Sequence, residues 1–450
     1  MLRKQIRFLP FYGLILTLLF SACVPQGPGP ETIEPVTPVF TEEPAETSEP
    51  EPQTTDTNVP VPVDTETPDP SPTTEPAPAQ PLKIAYTKDG DAWLWVEGGS
   101  PTQLTTSGGV IDIRLSDDGS VVAFLKQATE LISELWAVNA DGSNEHPLVT
   151  AGELRQVDPR AFGVTVNRYE FVPGSHVIAY NTRQVFEGPV YFMYNDLNLV
   201  DSGTLEKRTL LPVGEGGDFF YSPDGSQIAL TTSEYIQIVN ADGSNRRHVL
   251  DFQRINTASE YQFYPTPVWA ADSSRMAVVI PPVEPFNYPI GMSTIYSIPV
   301  DGSAAVQVGQ VEAMYLPGFT YISPDMRYVL YAKMVGEPEQ NLRELHLFNL
   351  DGSGDRMLLS ALVIPVGWAG EEFFTYNHGE GSETFAARPE GEFQPASLEF
   401  GVMSAKAAGP GRIAFLAVSG STWTVNLLDG AQHFVIDSFE GMLPQMDVGY

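Results

Sequence analysis

The sequence predicts an all-β fold: a closed β-propeller of four-stranded antiparallel blades, eight by count with seven as the alternative, whose last strand completes the first blade. Three observations predict it. Gly and Pro contribute 39 residues each to a chain of 450, too many breakers for long helices, while 42 % apolar residues supply a large core. From Leu82 to the end a unit of about 46 residues recurs, made of short β-branched or aromatic runs between turn clusters. The strand count is uneven, with three strands at the start of this region and one left over near Met446-Asp447-Val448. Pairing the spare strand with the first blade closes a ring and removes its open edges.

Residues 1–22 read as a signal peptide. Arg3, Lys4 and Arg7 form a positive n-region, and Phe8 to Phe20 is an apolar stretch short of a membrane span. The stretch runs into Leu19-Phe20-Ser21-Ala22-Cys23. These residues resemble the lipobox of bacterial lipoproteins, in which the Cys becomes the lipidated N-terminus. The resemblance implies acylation at Cys23, the only Cys of the chain, and anchoring in the cell membrane or the outer membrane on the extracytoplasmic side. Several acyl chains at about 0.8 kcal/mol per CH₂ hold a protein on a bilayer without a transmembrane helix.

Residues 23–81 carry that Cys and a stalk. Between Val24 and Pro81 stand 16 Pro, 11 Thr and 12 Asp or Glu, and no Lys or Arg. Such a segment buries too little apolar surface to offset its chain entropy, and Pro with unopposed carboxylates extends it. At about 3.1 Å per residue it reaches up to ~180 Å.

Residues 82–450 form the propeller. The clearest unit runs from Asp218 to Leu250: Asp218-Phe219-Phe220-Tyr221, the turn Ser222-Pro223-Asp224-Gly225, then strands at Gln227–Leu230 and Tyr235–Val239, the turn Asn240-Ala241-Asp242-Gly243-Ser244-Asn245, and a last strand to Leu250. Asp caps its own turn and Gly accepts positive φ. Ser116-Asp117-Asp118-Gly119 with Asp141-Gly142-Ser143, and Ser323-Pro324-Asp325-Met326 with Asp351-Gly352-Ser353, repeat the plan. Val172-Pro173-Gly174-Ser175, Ala270-Ala271-Asp272-Ser273, Trp368-Ala369-Gly370-Glu371 and Gly409-Pro410-Gly411-Arg412 mark weaker copies.

The Ser-Pro-Asp-Gly-x-x-Ile-Ala and Asn-x-Asp-Gly-Ser-Asn signatures resemble the WD40-like repeats called PD40, found in TolB-like propellers and in the propeller domains of prolyl oligopeptidases. The resemblance spans nearly all of 82–450 and implies the fold; it leaves the activity open.

With strands a to d in each blade, the tight a–b and c–d turns fall on one face and the b–c and d–a connections on the other. All the long connections belong to the second set: Ala151 to Arg168 and Asp251 to Thr266 as d–a, and Gln184 to Tyr194, Pro281 to Met292 and Gly336 to Arg343 as b–c. Long loops on a rigid scaffold are where binding resides. Phe162, Phe186, Phe252, Tyr261, Phe263, Tyr264, Phe286 and Tyr288 are the candidate binding residues of this looped face, beside Glu187, Glu260, Glu284, Glu337 and Glu339. The competing reading has these aromatics pinning their own loops onto the blades.

Other chemistries are excluded or unsupported. The net charge of −33 opposes nucleic acid as a partner, because duplex binding needs clustered cations. A lone Cys excludes an internal disulfide and Cys-rich metal modules, and the six His are scattered, so no metal or cofactor is expected. No Gly-x-Ser-x-Gly elbow occurs. The expected protein is a monomeric, non-catalytic lipoprotein that offers its looped face to a protein, peptide or glycan. The alternative is a glycan- or peptide-processing enzyme with a carboxylate pair in the propeller channel.

Overall fold

The computed structural model describes residues 80–186, 192–287, 289, 291–312, 322–336, 342–379, 383–398 and 401–450. The segments read as signal peptide and stalk, with Cys23, lie outside the described residues except for Gln80 and Pro81, and so do Glu187, Tyr288, Glu337 and Glu339.

The unit Pro76–Tyr450 contains eight antiparallel sheets in chain order. Blade 1 is ordered Thr102–Gln103, Asp91–Val96, Lys83–Lys88 and Met446–Gly449. The spare strand is therefore its a strand, with Lys83 opposite Gly449 and Tyr86 opposite Met446. The a strands of blades 2, 3, 4, 5, 7 and 8 are Val110–Leu115, Gly163–Phe171, Asp218–Tyr221, Val268–Trp269, Val363–Trp368 and Gly401–Ala407. Among the described residues blade 6 shows three strands, Tyr328–Met334, Arg343–Asn349 and Asp355–Ala361, with a bridge from Ile322 to Val329.

Eight buried clusters hold the ring, and each joins two neighbouring blades. Phe124, Ile113 and Leu94 fill the seam of blades 1 and 2, while Ile84, Tyr86, Leu416 and Phe439 fill that of blades 8 and 1. Neighbouring a strands approach one another, so they form the inner wall; the d strands are exposed and form the rim.

The turns are built as the repeats predict. Ser222 Oγ donates to Asp224 Oδ1 at 2.6 Å, Ser226 N donates to the same oxygen at 3.0 Å, and Gln227 N donates to Ser222 Oγ at 3.0 Å. Ser116 with Asp118 and Ser323 with Asp325 repeat the arrangement. Gly225 stands at φ +68°, and Met326 takes that position in blade 6 at φ +58°, a conformation that favours Gly. The hydrogen bonds from Ser222 and Ser226 hold the Asp224 carboxyl down at about 2. A depressed carboxyl stabilises the turn fully above its unfolded value near 3.8 and loses that contribution as pH falls through about 2. Carbon-detected NMR should find Asp224 titrating near 2; a midpoint at the ordinary value of 3.8 would contradict the turn geometry.

Three local features differ from expectation: the Gln184 to Tyr194 connection contains a two-residue strand, Phe192–Met193, which pairs with Val177–Val185 and makes the sheet of blade 3 five-stranded, and the other two concern the connection after blade 2. The connection after blade 2 is shorter than Ala151 to Arg168, because the a strand of blade 3 already begins at Gly163. Within it lies a helix, Ala151–Val157, which the all-β reading did not contain. Its signal is local: Thr150 and Glu153 form a capping box, with Glu153 N donating to Thr150 Oγ1 at 3.3 Å and Thr150 N to Glu153 Oε2 at 2.8 Å. The loops Asp251 to Thr266 and Pro281 to Met292 contain no strand beyond the end residue Asp251 among the described residues.

Candidate functional site: the looped face and the inner wall

The two faces of the ring differ in how their connections are spent. On the turn face the connections bond from blade to blade. Lys83 Nζ donates to the carbonyl of Gly119 at 3.0 Å, Gly174 N to Asp117 Oδ2 at 2.6 Å, and Asp224 N to Ser273 Oγ at 3.1 Å. His176 Nε2 lies 3.0 Å from Asp118 Oδ2, and Arg412 Nη2 pairs with Glu97 Oε1 at 2.6 Å. These contacts tie neighbouring blades together on that face.

The looped face carries apolar surface instead. Of the seventeen exposed large apolar side chains among the described residues, nine sit on looped-face connections, among them Leu131, Phe162, Phe192, Val283, Phe286 and Met442. Turn-face connections carry one, Leu205. Exposed apolar side chains are therefore concentrated on the looped connections.

The sequence-predicted aromatics divide on this face. Phe252 and Phe263 pack against the buried cluster of blades 4 and 5, beside Ile255 and Ile280, and so pin the Asp251 to Thr266 loop. Tyr264 reaches across to blade 3, its OH donating to Asn195 Oδ1 at 3.0 Å, and burial pushes its phenol up to about 12. Tyr261 and Phe186 are half-buried, and burial raises the Tyr261 phenol. Phe162 and Phe286 stand out into solvent at 56 % and 43 % exposure.

The inner wall holds residues that the loop-centred reading missed. Lys406, Asp447, Arg114 and Glu170 occupy one tier on blades 8, 1, 2 and 3, since each lies opposite an alanine of strand b: Ala414, Ala85, Ala123 and Ala179. Their charges alternate around the ring. On blades 4 and 5 the same tier holds Phe220 and Val268, opposite Ala229 and Ala277. Asp112, Arg168 and Asp218 form a second alternating tier on blades 2, 3 and 4.

The tiers are stapled to each other. Lys406 Nζ pairs with Asp447 Oδ1 at 2.6 Å, and Asp447 Oδ2 accepts Leu115 N at 2.9 Å, so one carboxylate ties blades 8, 1 and 2. Arg114 pairs with Asp112 at 2.9 Å and lies over the Tyr169 ring. Arg168 pairs with Glu170 at 2.8 Å, approaches Asp218 at 3.8 Å and stacks 4.3 Å over Phe220. Burial works against the Arg168 charge, but Glu170 and Asp218 raise its pKa overall; burial raises that of Asp218, with Arg168 opposing. The signal in the sequence was a charge inside an otherwise apolar strand just before each turn, as in Asp112-Ile113-Arg114 and Arg168-Tyr169-Glu170. The inner strands of blades 2, 3, 7 and 8 also carry a β-bulge, which turns Ile111 and Met403 outward at the looped end. Among the described residues no three His, Cys, Asp or Glu side chains gather as a metal site.

No protein-family model and no curated protein matches the chain. Among solved structures it is similar to a eukaryotic initiation factor at 10 % identity and a TM-score of 0.49, covering 80 % of this chain and 85 % of that one. It is similar to the β-propeller domain of the Trilobed protease from Pyrococcus furiosus at 12 % identity and a TM-score of 0.44, covering 73 % and 95 %. TolB from Acinetobacter baumannii matches at 14 % identity and a TM-score of 0.32, covering 64 % and 71 %. The likeness to each is one of architecture.

Proposed function

We propose that the protein is a lipid-anchored, extracytoplasmic scaffold whose propeller binds a protein, peptide or glycan through its looped face without catalysing a reaction. The observation that carries this reading is the contrast between the faces: polar groups knit the turn face together, while the looped face displays Phe162, Phe192, Phe286 and their apolar neighbours to solvent. The alternative of a carboxylate-catalysed hydrolase is less supported, since Asp112, Glu170 and Asp447 each engage a cation and Asp218 shares Arg168 with Glu170.

Two experiments test the two halves. Cys23→Ala should release the chain from membranes or leave it unprocessed, and unchanged incorporation of labelled palmitate would overturn the assignment of Cys23 as the lipidated residue. A photo-reactive residue placed at 162 or 286 should form adducts in intact cells, whereas the same residue at 205 should form none. Adducts from position 205 alone would reassign the binding face.

A further inference from the structure

A propeller buries the edges between its blades, but each outer strand leaves a row of backbone N–H and C=O groups facing solvent. Most of the outer strands here are blunted in ways that discourage another chain from pairing. Those of blades 1 and 7 are two residues long, that of blade 2 contains Pro147, those of blades 3, 4 and 6 begin with Lys207-Arg208, Arg247-His248 and Asp355-Arg356, and that of blade 5 is interrupted by Gly309. The outer strand of blade 8 has none of these devices, and the β-bulge it carries at Ile436 is one that the outer strands of blades 2 to 6 share. It runs for nine residues, Gln432 to Glu440, without Lys, Arg, Pro or Gly.

We propose that this strand is a strand-addition site for an extended, basic peptide segment of a partner protein. Its inner neighbour is Thr422–Asp429, and no described strand pairs with its other side. Its second half is held rigidly at the seam with blade 1: Asp437 accepts Tyr86 OH at 2.6 Å and pairs with Lys88 at 2.8 Å, and Phe439 stacks on Tyr86. The first half, Gln432–Val435, is exposed, with Phe434 at 46 % and Val435 at 55 %, while the His433 ring stacks on Phe415 and lies 3.0 Å from Asn426 Oδ1. Adjacent residues of a strand point to opposite faces, so apolar side chains flank the open edge on both sides. A strand laid along it would gain main-chain hydrogen bonds and cover both. Charge selects the occupant. Of the 57 acidic residues 12 lie in the stalk, leaving 45 in residues 82–450 against 21 basic ones once Arg3, Lys4 and Arg7 are set aside. A second copy carries the same excess and is repelled, whereas a Lys- or Arg-bearing strand is drawn in.

The test uses the full-length chain and two synthetic probes, a Lys-Val repeat of about ten residues and the same peptide N-methylated at alternate residues, which keeps charge and side chains but removes edge donors. At about 150 mM salt, hydrogen exchange of residues 432–436 should slow on the order of ten-fold with the first probe and stay unchanged with the second. The double variant Phe434→Lys, Val435→Lys should bind the first probe at least about ten-fold more weakly while melting with the parent, since both side chains are exposed. Equal protection by both probes, or protection spread over the Asp-Gly turns, would reduce the effect to charge attraction and overturn the proposal. Protection that grows with protein concentration in the absence of probe would overturn it in favour of a second copy.

Discussion

Removing Met446–Tyr450 is expected to abolish cooperative unfolding of the propeller and convert it to an aggregating species. The segment is the inner strand of blade 1, although it is made last, and it pairs residue for residue with Lys83–Tyr86. Its loss removes the buried Met446 side chain, worth ~2–3 kcal/mol, and a strand ladder at ~1 kcal/mol per bond, together a large share of a total stability of ~5–15 kcal/mol. It also bares the edge of Lys83–Lys88 and the wall of blade 2, where Asp447 accepts Leu115 N. Asp447→Ala isolates the electrostatic part of closure. Its expected cost is about 2 kcal/mol, below the value for a fully buried pair because Lys406 is partly solvated. Chemical denaturation followed by Trp fluorescence measures both. A truncated chain that melts sharply at the parent's midpoint would mean that the ring does not depend on its last strand.

Phe124→Ala should cost ~3–5 kcal/mol, among the largest losses of any single side chain. Phe124 is fully buried in strand b of blade 2, opposite Ile113 and Trp136, and fills the seam with blade 1 beside Leu94 and Val138. Eight clusters share the ring between neighbours, so the damage should be local first. Hydrogen exchange should quicken in residues 83–96 and 121–139 before it does in blades 5 and 6, which lie across the ring. Phe434→Ala, at an exposed position on the outer rim, should cost under about 0.5 kcal/mol and serves as the control. A comparable loss from both variants would mean that the seam is looser than its burial implies.

The turns were legible because their chemistry is local. Ser222, Asp224 and Ser226 bond within five residues of one another, so the pattern of residue types carries the geometry. The helix Ala151–Val157 was equally local in origin, announced by Thr150 and Glu153, but one short capping box inside a long connection is easily read as loop. The loop aromatics were only half legible: their type and position placed them on one face, whereas packing decided that Phe252 and Phe263 turn inward and Phe162 and Phe286 outward.

From the sequence alone came the all-β class, the repeat, the eight blades, the ring closed by its own last strand and the division into a plain and a looped face. All of these follow from contacts between residues a few positions apart and from the need to pair every edge. The inner wall belongs to the tertiary structure. Asp447 meets Leu115 across 332 positions, and Lys88 meets Asp437 across 349, so no local pattern could pair them. Which charges staple the channel, which aromatics face solvent and which outer strand stays open are decided only when the ring brings distant blades side by side, because ion pairing and burial depend on distance in space and not along the chain.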